Sequence, residues 1–313
     1  MTTVEILIQT IINGILLGGI YACFGIGLSL LWGVMRVGNF AHGAIAFIGT
    51  YLFYGLLTSF GIDPILSMLL PIPLFLVIGV ILYRLILNPV YIRVRPEDFE
   101  MSAMLSTFGL SLAIESILSL KWGTDILTIP SSSLKYLRGT SITFGPIFIT
   151  SQGLLSLSLA VSSMVLLHLF LTKTHLGLAI RAVSQNREMA RALGANIQNI
   201  WLLATGIACI LASMAGIAMS LTYAFYPQGY IIWNIKAFIV VTLGGLGSMV
   251  GMFLGGLILG ISENLAMTLL PSFFSSFFPH INVLPLGFRD VIALLIFLII
   301  LLIRPQGLLG RGS

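Results

Sequence analysis

The sequence predicts an all-α protein, a polytopic transmembrane helical bundle of about eight spans plus one half-helix, in a single domain over residues 1–313. Composition is the first observation: 58% of the residues are hydrophobic, 8% are charged, and the mean hydropathy is +1.09. Such a chain has too little polar surface to cover a water-soluble globule. The second observation is that apolar stretches long enough to cross roughly 30 Å of hydrocarbon recur along the whole chain.

Apolar runs separated by polar or Pro/Gly-containing segments give the predicted spans in order. The runs cover residues 4–31, 40–60, 65–87, 101–120, 154–171, 200–221, 237–270 and 291–303. At about 1.5 Å per residue, the run over 237–270 is too long for one span. Its middle reads GGLGSMVG, and these glycines predict a break, with a half-helix before it and a full span after it.

Basic residues predict the orientation, because cytoplasmic loops carry an excess of Lys and Arg. The loop over 173–191 and the tail after residue 304 are both basic. They therefore belong on one side, which needs an even number of crossings and supports the split of 237–270. The cytoplasmic side then receives Arg36, Arg84, Arg93, Arg95, Lys173, Arg181, Arg187, Arg191, Arg304 and Arg311. The external side receives the amino terminus with Lys121, Lys135, Arg138, Lys236 and Arg289.

The external loop over residues 121–152 is the longest polar segment, and its β-branched residues predict a small ordered cap. The formal net charge of +5 is interpreted as a signal of topology. We therefore expect membrane lipid, and no nucleic acid, around this protein.

Two glycine-rich hydrophobic segments with interruptions lie in the two halves of the chain, at residues 24–51 and 236–260. Paired interruptions are typical of transporters built from structural repeats, with the substrate pathway at the repeat interface. Close packing of helices through small residues is the alternative explanation, and the sequence leaves both open.

The polar stretch over residues 172–198 interrupts two apolar spans and predicts a short amphipathic helix at the cytoplasmic face. Asn186 is the predicted amino-terminal cap, and Gly194 lies where a left-handed stop belongs. One interpretation is an interfacial helix with snorkelling arginines, and the other is a coupling helix that docks in a groove of a cytosolic ATPase. The docking candidates are Arg181, Asn186, Arg187, Glu188, Met189, Arg191, Leu193 and Gly194.

Polar groups at membrane depth are candidate pathway residues because they are costly to place there. The candidates are Asn39, His42, Glu115, Gly244, Gly245, Gly247, Ser248 and Glu263. For Asn39 and His42, a hydrogen bond that satisfies a broken helix is the alternative role, and for the two glutamates it is bonding between helices. Arg289 and Asp290 are expected to form an interfacial ion pair.

Motifs for catalysis or cofactor binding are absent from the sequence. There is no GxxxxGK[ST] loop, HExxH, CxxC or GxSxG. We therefore expect no catalytic residue, metal site or cofactor in this chain, and any ATP is hydrolysed by a partner. Cys23 and Cys209 lie in apolar runs and are expected to behave as small hydrophobic residues.

Five blocks in order, together covering most of the chain, carry a family resemblance. They include GLSLLWGVMRVGNFAHGAIAFIGTY, TFGLSLAIES and AFIVVTLGGLGSMVGMFLGGLILG, and they span residues 27–51, 107–116, 177–198, 237–260 and 288–310. The chain resembles the LivH/LivM family, the permeases of branched-chain amino acid ATP-binding-cassette importers. Because it lacks a long amino-terminal extension, it is more similar to the LivH-type subunit.

The resemblance implies a permease of the bacterial inner membrane that works by alternating access. The implied partners are a second, LivM-like permease, two cytosolic ATPases that use ATP and an extracytoplasmic solute-binding protein. It also implies that residues 179–193 form the coupling helix. Branched-chain or related amino acids are the expected substrates, and urea, short-chain amides and aromatic acids are alternatives within the family. From a different class, an ion-coupled secondary carrier, a channel or a membrane scaffold remains an alternative.

Overall fold

The computed structural model describes residues 3–130, 132–134, 141–245, 247–277, 288–303 and 307. Within these ranges the chain forms thirteen α-helices and one two-stranded antiparallel sheet. Lys135, Arg138, Arg304 and Arg311, which contribute to the predicted orientation, lie outside the described residues, as does the side chain of Arg289.

The first half of the chain is helical throughout its described elements. These are α1 (Thr3–Met35), α2 (His42–Thr58), α3 (Pro64–Leu69), α4 (Pro71–Leu82), a π-helical turn (Tyr83–Leu87), α5 (Asn88–Arg93) and α6 (Phe99–Trp122). Elements α3 to α5 follow one another as one apolar unit over Pro64–Arg93. The π-helical turn lies just before Pro89, where the missing backbone N–H disturbs regular α-helical bonding.

The second half begins with a hairpin and continues as helices. Its elements are β1 (Ser141–Phe144), β2 (Ile147–Thr150), α7 (Ser151–Lys173), α8 (His175–Gln185), α9 (Arg187–Ala192), α10 (Ile197–Ser220), a 3₁₀ turn (Pro227–Gly229), α11 (Tyr230–Gly244), α12 (Met249–Phe277) and α13 (Phe288–Ile303). The run predicted to be too long for one span is divided into α11 and α12, which confirms the predicted break.

Six helical units in the described part of the chain are long and apolar enough to cross a membrane. They are Thr3–Met35, Pro64–Arg93, Phe99–Trp122, Ser151–Lys173, Ile197–Ser220 and Met249–Pro271. Two shorter apolar helices are His42–Thr58 and Asp290–Ile300. The chain is thus a multi-pass integral membrane protein, and the number of eight spans stays a prediction.

Helix α1 lies at the centre and packs against α12, α10, α7 and α11. Its contact with α12 depends on glycine: a Cβ atom added at Gly18 would lie 2.7 Å from Leu257 Cα, and one at Gly256 would lie 2.6 Å from Gly18 O. These distances let the two backbones approach as small residues do in membrane bundles. Close helix packing therefore accounts for this pair of glycines, while the glycines of the break have a different role.

The hairpin identifies one end of the bundle. Gln9 near the start of α1 donates to Phe148 O and accepts from Phe148 N, both at 2.9 Å. The small ordered cap expected in the 121–152 loop therefore includes strands β1 and β2, and it lies at the end of the bundle where α1 begins. The coupling segment is attached to the opposite end of α1, as described below.

Candidate translocation and coupling site

The second break consists of residues 245–248 between α11 and α12. Gly245 and Gly247 have φ angles of +86° and +81°, a backbone region that favours glycine. Ser248 directly precedes α12, and its hydroxyl accepts from Gly251 N at 3.0 Å, as an amino-terminal cap does. Gly247 N donates to Ser29 Oγ at 3.4 Å, so the break contacts α1.

The first break consists of residues 36–41 between α1 and α2. Arg36 ends α1 in the left-handed region with φ +56°, which is uncommon for a residue with a side chain. Asn39 Oδ1 accepts from Ala41 N at 3.0 Å. His42 Nε2 lies 3.1 Å from Phe24 O. Asn39 and His42 are each 1% exposed. The Asn39 bond satisfies a backbone N–H at the interruption, whereas His42 bonds to a carbonyl inside α1.

Neighbouring helices hold this first break in place. Asn234 in α11 accepts from Gly43 N at 2.9 Å and donates to Phe40 O at 3.1 Å. Thr107 in α6 accepts from Phe40 N at 3.1 Å. The first break is thus linked to α6 and α11 by three hydrogen bonds, whereas the described residues of the second break are linked to α1 by one, from Gly247 N to Ser29 Oγ.

A cavity of about 790 Å³ lies beside the second break. We call it the cytoplasmic cavity, because Arg36 and Arg181 from the predicted cytoplasmic side line it together with Ser29, Gly33, Gly247 and Ser248. It is bordered by α1, α6, α7, α8 and α12. Of the eight predicted pathway residues, Gly247 and Ser248 line this cavity.

The predicted amphipathic helix is present as α9 with the predicted ends. Asn186 Oδ1 accepts from Met189 N at 2.9 Å, and Gly194 follows with φ +89°. The implied single coupling helix over residues 179–193 is a wrong prediction, because this range is divided between α8 and α9. Asn186 has an extended backbone, φ −151° and ψ 107°, which ends α8 and starts α9. We call α8 and α9 the coupling segment.

Exposure divides the coupling segment into two faces. Met189 and Leu193 are 61% and 83% exposed, whereas Ala190 is buried. Glu188, Arg191 and Arg181 are also exposed. Exposed apolar side chains surrounded by charge are typical of a protein-binding site and also of an interfacial helix, so the docking role stays a prediction.

Arg187 attaches α9 to the rest of the bundle. Its guanidinium donates to Val34 O at 3.3 Å and lies 5.1 Å from the centre of the Trp201 ring. Burial, and next the charge of Arg36, lower the pKa of the Arg187 guanidinium. The bond satisfies a carbonyl at the end of α1, where helix carbonyls lack partners. Arg187 thus links the coupling segment to α1 as well as lying on the predicted docking surface.

An ion cluster lies in the interior between α1, α11, α12 and α13. Lys236 Nζ lies 3.3 Å from Glu263 Oε1, 3.0 Å from Asp290 Oδ1 and 2.8 Å from Tyr21 OH. Tyr21 donates to Glu263 Oε2 at 2.7 Å. The Lys236 and Glu263 side chains are 7% and 0% exposed. Buried charges of opposite sign persist when they are paired in this way.

The ion cluster corrects one prediction. Lys236 was assigned to the external side, but it lies inside α11 and is buried. The mostly apolar stretch YIIWNI stands directly before Lys236, and this signal could have shown that Lys236 is within a membrane helix. The described partner of Asp290 is Lys236, and the side chain of Arg289, its expected partner, lies outside the described residues. Without Lys236, fewer basic residues remain on the predicted external side, so the predicted cytoplasmic excess is larger.

The predicted pathway residues lie in four separate places. Asn39 and His42 lie at the first break, and Gly247 and Ser248 line the cytoplasmic cavity. Gly244 and Gly245 end α11. Glu263 belongs to the ion cluster, and half-buried Glu115 in α6 lies near the Tyr230 hydroxyl. The structure does not bring all eight together, and their role in transport stays a prediction.

Comparison with known proteins is consistent with this architecture. Residues 10–302 match the profile of the family described as branched-chain amino acid transport system / permease component. The high-affinity branched-chain amino acid transport permeases LivH of Salmonella typhimurium and BraD of Pseudomonas aeruginosa are each 29% identical, over 97% of this chain and 96% of each relative. The probable LivH of Methanocaldococcus jannaschii is 30% identical over 95% of this chain and 91% of that protein.

A solved structure, PsaBC from Streptococcus pneumoniae in complex with Fab, aligns with a TM-score of 0.42 and 15% identity over 96% of this chain and 91% of that chain. The family assignment depends on the sequence matches, which extend over both breaks, the coupling segment and the ion cluster. The chain therefore belongs to the family of permease components of the branched-chain amino acid transport system.

Proposed function

We propose that this chain is the membrane-spanning permease subunit of an ATP-binding-cassette importer in the bacterial inner membrane, and that its substrates are branched-chain or related amino acids. The observation that carries the proposal is the match to LivH and BraD over nearly the full length of both sequences. Its partners would be a LivM-like permease, two cytosolic ATPases that hydrolyse ATP and an extracytoplasmic solute-binding protein.

The coupling segment is where we place ATPase docking. Met189 and Leu193 offer an exposed apolar surface, and Glu188 and Arg191 add charge beside it. A partner groove that covers two such side chains would gain affinity mainly from apolar burial. Motion of the docked ATPase would then move α9.

Arg187 would transmit this motion. Because it bonds to Val34 O, a displacement of α9 pulls on the carboxyl-terminal end of α1. That end borders both the first break and the cytoplasmic cavity. Alternating access would follow if this end of α1 moved relative to the break at 245–248, which touches it through one long hydrogen bond.

Reconstituted transport tests the proposal. The chain is incorporated into proteoliposomes with its neighbouring subunits, and uptake of labelled leucine, urea and an aromatic acid is measured with and without ATP. We expect leucine uptake that requires ATP and the binding protein, and no uptake with ATPase subunits that cannot hydrolyse ATP. Uptake of another solute instead would make the substrate assignment wrong. Uptake by this chain alone without ATP would favour a secondary carrier and contradict the importer.

A further inference from the structure

The cytoplasmic cavity has an apolar wall as well as a polar end. Leu30 from α1, Leu167 and Leu171 from α7, and Val250 from α12 line it. The outer faces of α7 and α12 continue this wall with side chains that are exposed outside the bundle, among them Leu166 and Leu254. In a multi-pass membrane protein such a surface is in contact with acyl chains, so the cavity is accessible from the lipid.

The polar end of the cavity is positively charged. Arg36 and Arg181 line it, and among the described residues neither guanidinium has a hydrogen bond or salt bridge. Glu100 is the acidic residue and His168 the histidine on the described lining. Two arginines against one glutamate leave an excess of positive charge, and Arg36 is also held in the left-handed backbone region. Strained residues of this kind are concentrated at functional sites.

We propose that the cytoplasmic cavity binds one anionic phospholipid. The phosphate lies at the end formed by Arg36 and Arg181, and an acyl chain lies on the apolar wall between α7 and α12. Basic pockets between membrane helices on the cytoplasmic side bind acidic headgroups in this way. The volume of about 790 Å³ and an apolar wall that continues along α7 and α12 fit the acyl chain of a lipid, which is much longer than the side chain of an amino acid. This inference does not depend on which solute is transported.

Native mass spectrometry of the purified full chain in mild detergent tests the site, with phosphatidylglycerol and phosphatidylcholine as probes. We expect one phosphatidylglycerol bound at least about tenfold more tightly than phosphatidylcholine, and loss of this preference in Arg36→Gln/Arg181→Gln. The matched control Arg93→Gln/Arg95→Gln removes the same charge elsewhere on the cytoplasmic side and should bind like the wild type.

A second variant tests the site in case the arginine variant misfolds. Val250→Trp keeps both arginines and places a larger side chain at the apolar wall, so it should also weaken phosphatidylglycerol binding. Equal binding of the two lipids by the wild type, or full phosphatidylglycerol binding by either cavity variant, would overturn the proposal. Displacement of the lipid by excess leucine would assign the cavity to the transported solute instead. Loss of the lipid when the LivM-like permease is added would assign it to the subunit interface.

Discussion

The ion cluster and the coupling segment differ in how their charged side chains are surrounded. Lys236 and Glu263 are buried and paired, whereas Glu188 and Arg191 are exposed. In the ion cluster, Lys236 has Glu263, Asp290 and Tyr21 within 3.3 Å, and Lys236 and Glu263 are buried while Asp290 is 37% exposed. In the coupling segment, the exposed Arg191 guanidinium has no described partner, and Met189 and Leu193 expose apolar surface. Both regions attach to α1, one near its middle and the other at its end.

The difference shows why a charge at membrane depth is an ambiguous sign of function. Buried ions are tolerated when they are paired with opposite charges, so a paired cluster can serve to stabilise the fold. Unpaired charge and exposed apolar surface at the end of the bundle are available for contact. We therefore propose a structural role for the ion cluster and partner binding for the coupling segment, and four predictions follow in order of expected effect.

The largest effect is expected for Lys236→Met. The change leaves Glu263 buried without its cation, and breaking a buried pair costs about 3–5 kcal/mol of folding free energy. Thermal unfolding of the purified chain and its amount in the membrane measure the loss. The control Lys173→Met removes an exposed lysine and should be near neutral. Restoration of stability by adding Glu263→Gln and Asp290→Asn would support pairing as the cause, whereas a wild-type stability for Lys236→Met alone would make the assignment wrong.

The next effect is expected for Met189→Glu/Leu193→Glu. The variant should fold normally, since both side chains are exposed, but ATP-driven uptake should fall at least about tenfold because the apolar docking surface is lost. Ile92→Glu, at an equally exposed apolar side chain in α5, is the control. Normal uptake by the double variant would exclude this surface as the docking site.

An intermediate effect is expected when the link to α1 is cut. Arg187→Gln removes the charged donor to Val34 O and the contact with Trp201, so ATPase subunits should still bind while uptake per ATP hydrolysed falls several-fold. Arg191→Gln changes an exposed arginine on the same helix and should keep the ratio. If the two variants behave alike, Arg187 acts by surface charge and the link has no role in coupling.

The smallest effect is expected for Glu115→Gln. Glu115 lies half-buried on α6, apart from the cytoplasmic cavity, so uptake should stay within about twofold of the wild type. The pH dependence of uptake should also be unchanged. A loss of uptake or a shifted pH profile would place Glu115 in the pathway.

Local signals in the sequence predict local features of the fold well. The glycines at 244–251 predict the break, and Asn186 with Gly194 predicts the ends of α9, because each signal acts on the backbone next to it. The lysine at 236 and the arginine at 187 could not be placed in the same way. Their partners, Glu263, Asp290 and Val34, are distant along the chain. Only the packing of α11 with α12 and α13, and of the coupling segment with α1, brings them together.

Co-purification of the ATPase subunits with the tagged chain tests the central claim most directly. The experiment compares the wild type, Met189→Glu/Leu193→Glu and Ile92→Glu in the assembled importer. The account predicts that the wild type and Ile92→Glu retain the ATPase and that the double variant loses it while the LivM-like permease stays bound. Full retention of the ATPase by the double variant would contradict the assignment of the coupling segment.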